Sequence, residues 1–88
     1  MQNILILNGP NLNLLGNRED DIYGKETLDD IKNKSIARAK ELNLKCSFLQ
    51  DNNEGVLIDH IHSVQLNFSG LIINPAAFTH TSIALLDA

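Results

Sequence analysis

Eighty-eight residues, 43% of them hydrophobic, suffice for one small domain and are too few for two. The formal net charge is −4 and the seven Lys and Arg residues are scattered, so the chain offers no basic stripe of the kind that holds nucleic acid. No apolar run is long enough to span a bilayer, the N-terminus shows no secretory pattern, and the single Cys46 rules out an internal disulfide; the expectation is a soluble protein of the cytoplasm, with no membrane or nucleic-acid partner.

The first apolar run, Ile4 to Leu7, reads as a strand that stops at Asn8-Gly9-Pro10. A long loop follows, from Asn8 to Glu26, and loops of that length in compact α/β domains are functional or mobile. Thr27-Leu28-Asp29-Asp30 is a helix start, with Thr27 as cap and acidic residues in the first turn. Leu28, Ile31, Ser35, Ala39 and Leu42 then share one helical face. A second strand is expected over about Lys45 to Leu49. A second helix is expected from Asn53-Glu54, turning Leu57, Ile58, Ile61, Val64 and Phe68 inward. A third strand, Leu71-Ile72-Ile73, leads through Pro75 to a third helix starting around Thr79 to Ser82 and carrying Ile83, Leu85 and Leu86. The first and third strands are continuous apolar runs, as strands covered on both faces are. Strand–helix alternation predicts right-handed crossovers and a parallel sheet between helices. Three such strands leave open edges, and the apolar end at Leu85-Leu86 reads as the front part of a longer domain, with residues 1–88 forming one unit.

In open parallel sheets, ligands bind beyond the carboxyl ends of the strands. Three clusters follow the three strands. The first is Asn8, Pro10, Asn11 and Asn13, with Arg18 and Tyr23 further on. The second is Gln50 to Glu54, and the third is Asn74, Pro75 and Thr79 to Ser82, including His80. Such a rim of neutral hydrogen-bonding groups suits a small polyhydroxylated ligand. Any one of these asparagines also serves a turn, and the Asn52-Asn53-Glu54 group looks mainly like a capped helix start. No three of the candidates have metal-ligand spacing, and Pro10 removes a backbone donor that a phosphate cradle needs.

The pair Arg18 and Tyr23 suggests chemistry. A phenol with an ordinary pKa of about 10 is a poor base at neutral pH, and a nearby guanidinium favours the phenolate. A loop closing over substrate strengthens that effect. Tyr23 would then take a proton from a carbon beside a carbonyl, while an amide such as Asn11 holds the developing enolate oxygen, directly or through a water.

At this point the residues resemble a known family, the type II 3-dehydroquinate dehydratases. The resemblance rests on ILILNGPNLNLLG (residues 4–16), Arg18-Glu19, Ile22-Tyr23-Gly24, QDNNEG (residues 50–55), Leu57-Ile58-Asp59, Ile61-His62 and IINPAAFTHTS (residues 72–82). It implies a flavodoxin-like, three-layer α/β fold and the reversible dehydration of 3-dehydroquinate to 3-dehydroshikimate in the shikimate pathway, through an enolate. It also implies no metal and no organic cofactor. By position, Tyr23 matches the family's base, Arg18 the lid arginine and Asn11 the residue that helps hold the enolate. Asn74 and His80 match residues that bind substrate hydroxyls. Asp87 matches an acid that reaches a neighbouring subunit's site, since the family forms trimers grouped into dodecamers. Asp51, Asn53, Ala76 and Phe78 stand where Ser, His, Gly and Tyr are common. Family chains run on past the position of Ala88, and that further part carries the acid half of the site, so residues 1–88 alone are expected to be nearly inactive. The alternative is a non-catalytic relative that needs a partner to complete its sheet, or a small-ligand-binding module.

Overall fold

A computed structural model describes residues 2–16, 26–79 and 81–88. Three strands, β1 (Gln2–Asn8), β2 (Leu44–Gln50) and β3 (Gly70–Asn74), form one sheet in the order β2-β1-β3. Both pairings are parallel, with Ile6 opposite Phe48 on one side and Ile72 on the other. The helices are α1 (Leu28–Glu41), α2 (Glu54–Asn67) and the short α3 (Ile83–Asp87). The order 2-1-3 with parallel strands is the start of the flavodoxin-like arrangement. Chain order explains the layers. The β1–α1–β2 crossover runs one way across the sheet and β2–α2–β3 runs back past β1, so right-handed crossovers put α1 and α2 on opposite faces.

The core sits on the α2 face. Leu5, Leu7 and Leu57 are fully buried, and Ile61, Val64, Phe68, Leu71, Phe78 and Leu85 pack around them. Leu5 and Leu7 are alternate residues of β1 and therefore share a face. Phe68 joins this core from outside the helix: it is the extended C-cap of α2, its N–H bonded to the Val64 carbonyl.

α1 begins as its sequence dictates. The Asp30 N–H donates to Thr27 Oγ1 at 3.1 Å and the Thr27 N–H donates to Asp30 Oδ2 at 3.0 Å, a reciprocal capping box. The bond from the Thr27 N–H, and next the Thr27 hydroxyl, hold the Asp30 carboxyl below its ordinary pKa. Its folded pKa being lowered, the stabilisation it gives is complete above the unfolded pKa of about 4 and is lost as pH falls through the folded value. Thr27→Ala is expected to cost about 1 kcal/mol at neutral pH. Asp30→Asn should remove the acid-side part of the stability loss, and urea titrations between neutral and acid pH check both.

The third helix begins within the range expected: its N-cap is Ser82, whose hydroxyl accepts from the Leu85 N–H at 2.9 Å, while Thr79 ends a short 3-10 turn, Ala76–Thr79. One expectation is corrected: β3 is not covered on both faces among the described residues, since Ile72 is 59% exposed. β3 has β1 on one side and no described strand on the other.

Candidate active site

The strand ends are sewn into one rim by hydrogen bonds between distant residues. The Gly9 N–H donates to the Asn74 carbonyl at 2.8 Å, joining β1 to β3. The Asp51 N–H donates to the Asn8 carbonyl at 3.0 Å, joining β2 to β1. Gln50 Nε2 donates to the Gly9 carbonyl at 3.1 Å and to Asn52 Oδ1 at 3.0 Å. The same Asn52 Oδ1 accepts the Asn11 N–H at 2.9 Å. Asn11 lies in the left-handed region, at φ 66°, a conformation asparagine tolerates better than most residues. A 3-10 turn, Leu12–Leu14, follows it, and buried Leu12 and Leu15 pin this part of the long loop to the body.

β1 and β3 approach closely here, and only glycine fits. A Cβ on Gly9 would stand 2.5 Å from the Pro75 carbonyl oxygen and 2.7 Å from its carbon, both backbone atoms. Gly9→Ala is therefore expected to cost about 1–3 kcal/mol by forcing the strand ends apart. A thermal melt reads the loss, and the Gly9 amide should lose protection from hydrogen exchange beyond that of the rest of β1.

The asparagines divide by what their side chains already do. Asn8 is buried and spends its amide on the Leu49 carbonyl at 3.0 Å, so it builds the sheet end. Asn53 is the N-cap of α2, accepting the Val56 N–H, and Asp51 Oδ1 in turn accepts the Asn53 N–H at 2.8 Å. Asn74 Oδ1 accepts the Ala76 N–H at 3.2 Å, and its Nδ2 has no hydrogen-bond partner among the described residues. Ala76 itself is held at φ 53°, a strained conformation for a residue with a Cβ. The Asn11 side chain makes no cap bond and is exposed. Thus Asn11, in the turn after β1, and Asn74, at the end of the adjacent β3, carry amide groups with no side-chain donor bond among the described residues, on a rim tied together by their neighbours.

Asn52, placed on the rim by its sequence position but read mainly as part of a helix start, has a bridging role that local reading did not give. A helix needs one N-cap, and Asn53 fills that role, so the second asparagine was the available signal. Its partner, Asn11, is 41 positions away. Asp87 stands apart from the rim: it is the last residue of α3, is exposed, and joins none of these bonds. Arg18, Tyr23 and His80 lie outside the described residues.

The family profile "Dehydroquinase class II" matches residues 2–88. The chain belongs to the class II dehydroquinases. It is 59% identical over 86 residues to a 3-dehydroquinate dehydratase of Buchnera aphidicola subsp. Acyrthosiphon pisum (strain Tuc7), covering 98% of this chain and 57% of that relative. It is 61% identical over 85 residues to a 3-dehydroquinate dehydratase of Pectobacterium carotovorum subsp. carotovorum (strain PC1), again covering 57% of the relative. The crystal structure of a type II dehydroquinase from Butyrivibrio crossotus superimposes with a TM-score of 0.93 at 42% identity, over 98% of this chain and 60% of that one. The chain thus spans somewhat more than half the length of the dehydroquinases it matches, and the flavodoxin-like fold expected from the sequence is the fold they share.

Proposed function

We propose that this chain supplies the base half of a 3-dehydroquinate dehydratase, which removes water from 3-dehydroquinate to give 3-dehydroshikimate in the shikimate pathway. The observation that carries the reading is the pair of side-chain amides, Asn11 and Asn74, whose nitrogens are unbonded among the described residues, on a dehydroquinase rim tied by the Gly9 and Asn52 bonds. Tyr23, with its proton drawn off under the influence of Arg18, takes a proton from the carbon beside the substrate's ketone. The electron pair moves onto the ketone oxygen, and Asn11 steadies that enolate through a water. Asn74 Nδ2 and His80 donate to substrate hydroxyls. The enolate then collapses and expels the hydroxyl on the next carbon, which leaves as water once protonated.

The proton donor for that step belongs to the part of the family's length that this chain does not span. The reaction calls on no metal and no organic cofactor. In the assembled enzyme, placed in the cytoplasm and built of trimers grouped into a dodecamer, exposed Asp87 reaches toward a neighbouring subunit's site.

A second reading is a non-catalytic chain that folds with a partner, and the exposure of Ile72 on β3 favours it. Incubation with 3-dehydroquinate, followed by the ultraviolet absorbance of the conjugated enone product, separates the two. The chain alone is expected to turn over slower than a full-length relative by on the order of a hundredfold to ten-thousandfold, the worth of general acid assistance. Absence of product even when the chain is joined to the remaining two-fifths of the Buchnera relative would refute the dehydratase reading.

A further inference from the structure

Asn11 has the most demanding backbone of the rim asparagines, and two residues at the end of β2 act on it. It sits at φ 66° and ψ −3°, a left-handed conformation that a residue with a Cβ adopts at a cost. Its carbonyl accepts the Leu14 N–H at 3.0 Å, and its N–H donates to Asn52 Oδ1 at 2.9 Å. The first bond is local, and the second comes from the turn after β2. Behind Asn52 stands Gln50, the last residue of β2, whose Nε2 donates both to Asn52 Oδ1 and to the Gly9 carbonyl.

The polarity of this bridge is fixed at both ends. The Gly9 carbonyl can only accept, and the Asn11 N–H can only donate. Gln50 must therefore present its NH2 to Gly9 and Asn52, and Asn52 must present its oxygen to Gln50 and Asn11. Neither amide can turn over without setting acceptor against acceptor or donor against donor.

Asn11 and Asn52 are both exposed, and α2 has its own N-cap in Asn53. Water would satisfy the Asn11 N–H if Asn52 were lost, so the bridge contributes little to stability. Water would not restore direction. With its N–H held from β2 and its carbonyl held by Leu14, Asn11 keeps only its side-chain torsions, and the point from which its carboxamide departs is set.

We propose that Gln50 and Asn52 are positioning residues for the enolate step. Their amide bridge fixes the Asn11 backbone, and through it the place where the Asn11 carboxamide holds the enolate's water. Both act through Asn11. The inference deepens the dehydratase reading and rests on it.

The test compares two variants of matched charge, Asn52→Asp and Gln50→Glu. Each turns an amide of the same bridge into a carboxylate. At position 52 the carboxylate still accepts from Gln50 and Asn11. At position 50 it faces the Gly9 carbonyl and Asn52 Oδ1, and an Asn52 amide that turns to meet it takes its oxygen away from the Asn11 N–H. Asn52→Ala removes the acceptor without adding charge. All are made in the chain joined to the remaining two-fifths of the Buchnera relative. Steady-state kinetics with 3-dehydroquinate and hydrogen exchange at the Asn11 amide are measured on each.

The kcat of Gln50→Glu is expected about tenfold or more below that of Asn52→Asp, and that of Asn52→Ala about tenfold below the parent, since a misplaced catalytic group costs up to on the order of a hundredfold. A hold on the enolate acts only in the transition state, so the KM of Asn52→Ala should stay within about threefold of the parent. The Asn11 amide should exchange faster in Gln50→Glu and Asn52→Ala than in Asn52→Asp.

Equal losses of kcat in the two carboxylate variants would mean that added charge alone is felt, and would overturn the proposal. So would an unchanged kcat in Asn52→Ala, or a loss there confined to KM. Each of these leaves the dehydratase reading standing. A parent that forms no dehydroshikimate refutes the dehydratase reading, and exchange then decides the bridge by itself: equal rates at Asn11 in the two carboxylate variants overturn its hold on that residue, and unequal rates uphold it.

Discussion

Leu57→Ala is expected to cost about 2–5 kcal/mol, the range for emptying a fully buried leucine site. Leu57 is the one α2 side chain that reaches complete burial, against Leu5 and Leu7 of β1. Those three are the only fully buried large side chains among the described residues. A domain of this length has roughly 4–13 kcal/mol of stability in total, and one with an open sheet edge belongs toward the lower end. The variant should therefore melt roughly 10 °C or more below the parent and populate unfolded chain at room temperature. Ile83→Ala, at an 81% exposed position, should stay within about 0.5 kcal/mol of the parent. Urea titrations followed by circular dichroism measure both, and a Leu57→Ala loss below that of Ile83→Ala would place the core elsewhere.

Tyr23→Phe is expected to leave 3-dehydroquinate bound and to slow its conversion by on the order of a hundredfold or more, the worth of a positioned base. The substitution keeps the ring and removes the phenolic oxygen that takes the proton in the proposed mechanism. Arg18 enters through the pH profile. The phenol acts as base only when deprotonated, so activity should rise with pH through the Tyr23 pKa. In the proposed mechanism the Arg18 guanidinium favours the phenolate over the phenol, whose ordinary pKa is about 10. Arg18→Gln should then move the rising limb to higher pH while the falling limb stays in place. Steady-state rates across a pH series, on the form of the protein that turns over dehydroquinate, measure this. An unmoved limb would mean that Arg18 acts by closing the loop and leaves the Tyr23 pKa alone.

The sheet was legible because its signals are local and repeated. Apolar runs at Ile4–Leu7 and Leu71–Ile73 and capped helices between them leave few topologies open. The capping box at Thr27 and Asp30 was legible for the same reason, since its partners are three residues apart. The start of α3 was legible to within a few residues: Thr79, Thr81 and Ser82 are all competent caps by type, and only backbone geometry decides that Ser82 meets the Leu85 N–H. The exposure of Ile72 was hidden, because an apolar run reports what a strand would like against it and says nothing of what is there. The bond from Asn52 to Asn11 was out of reach of any window, since it joins the turn after β2 to the turn after β1 across 41 positions.

The bonds that shape the rim have a consequence for how the chain comes into being. Gln50 reaches Gly9, and Asn52 reaches Asn11, across 41 positions, and Gly9 waits for Asn74. During synthesis, β1 is made first and has no strand to lie beside until Leu44 has emerged. For that interval Ile4–Leu7 is an unpaired, strongly apolar strand, the kind of segment that chaperones bind and aggregates recruit. The rim is then completed only when the end of β3 meets Gly9, so the turn after the earliest strand is among the last segments to reach its final geometry.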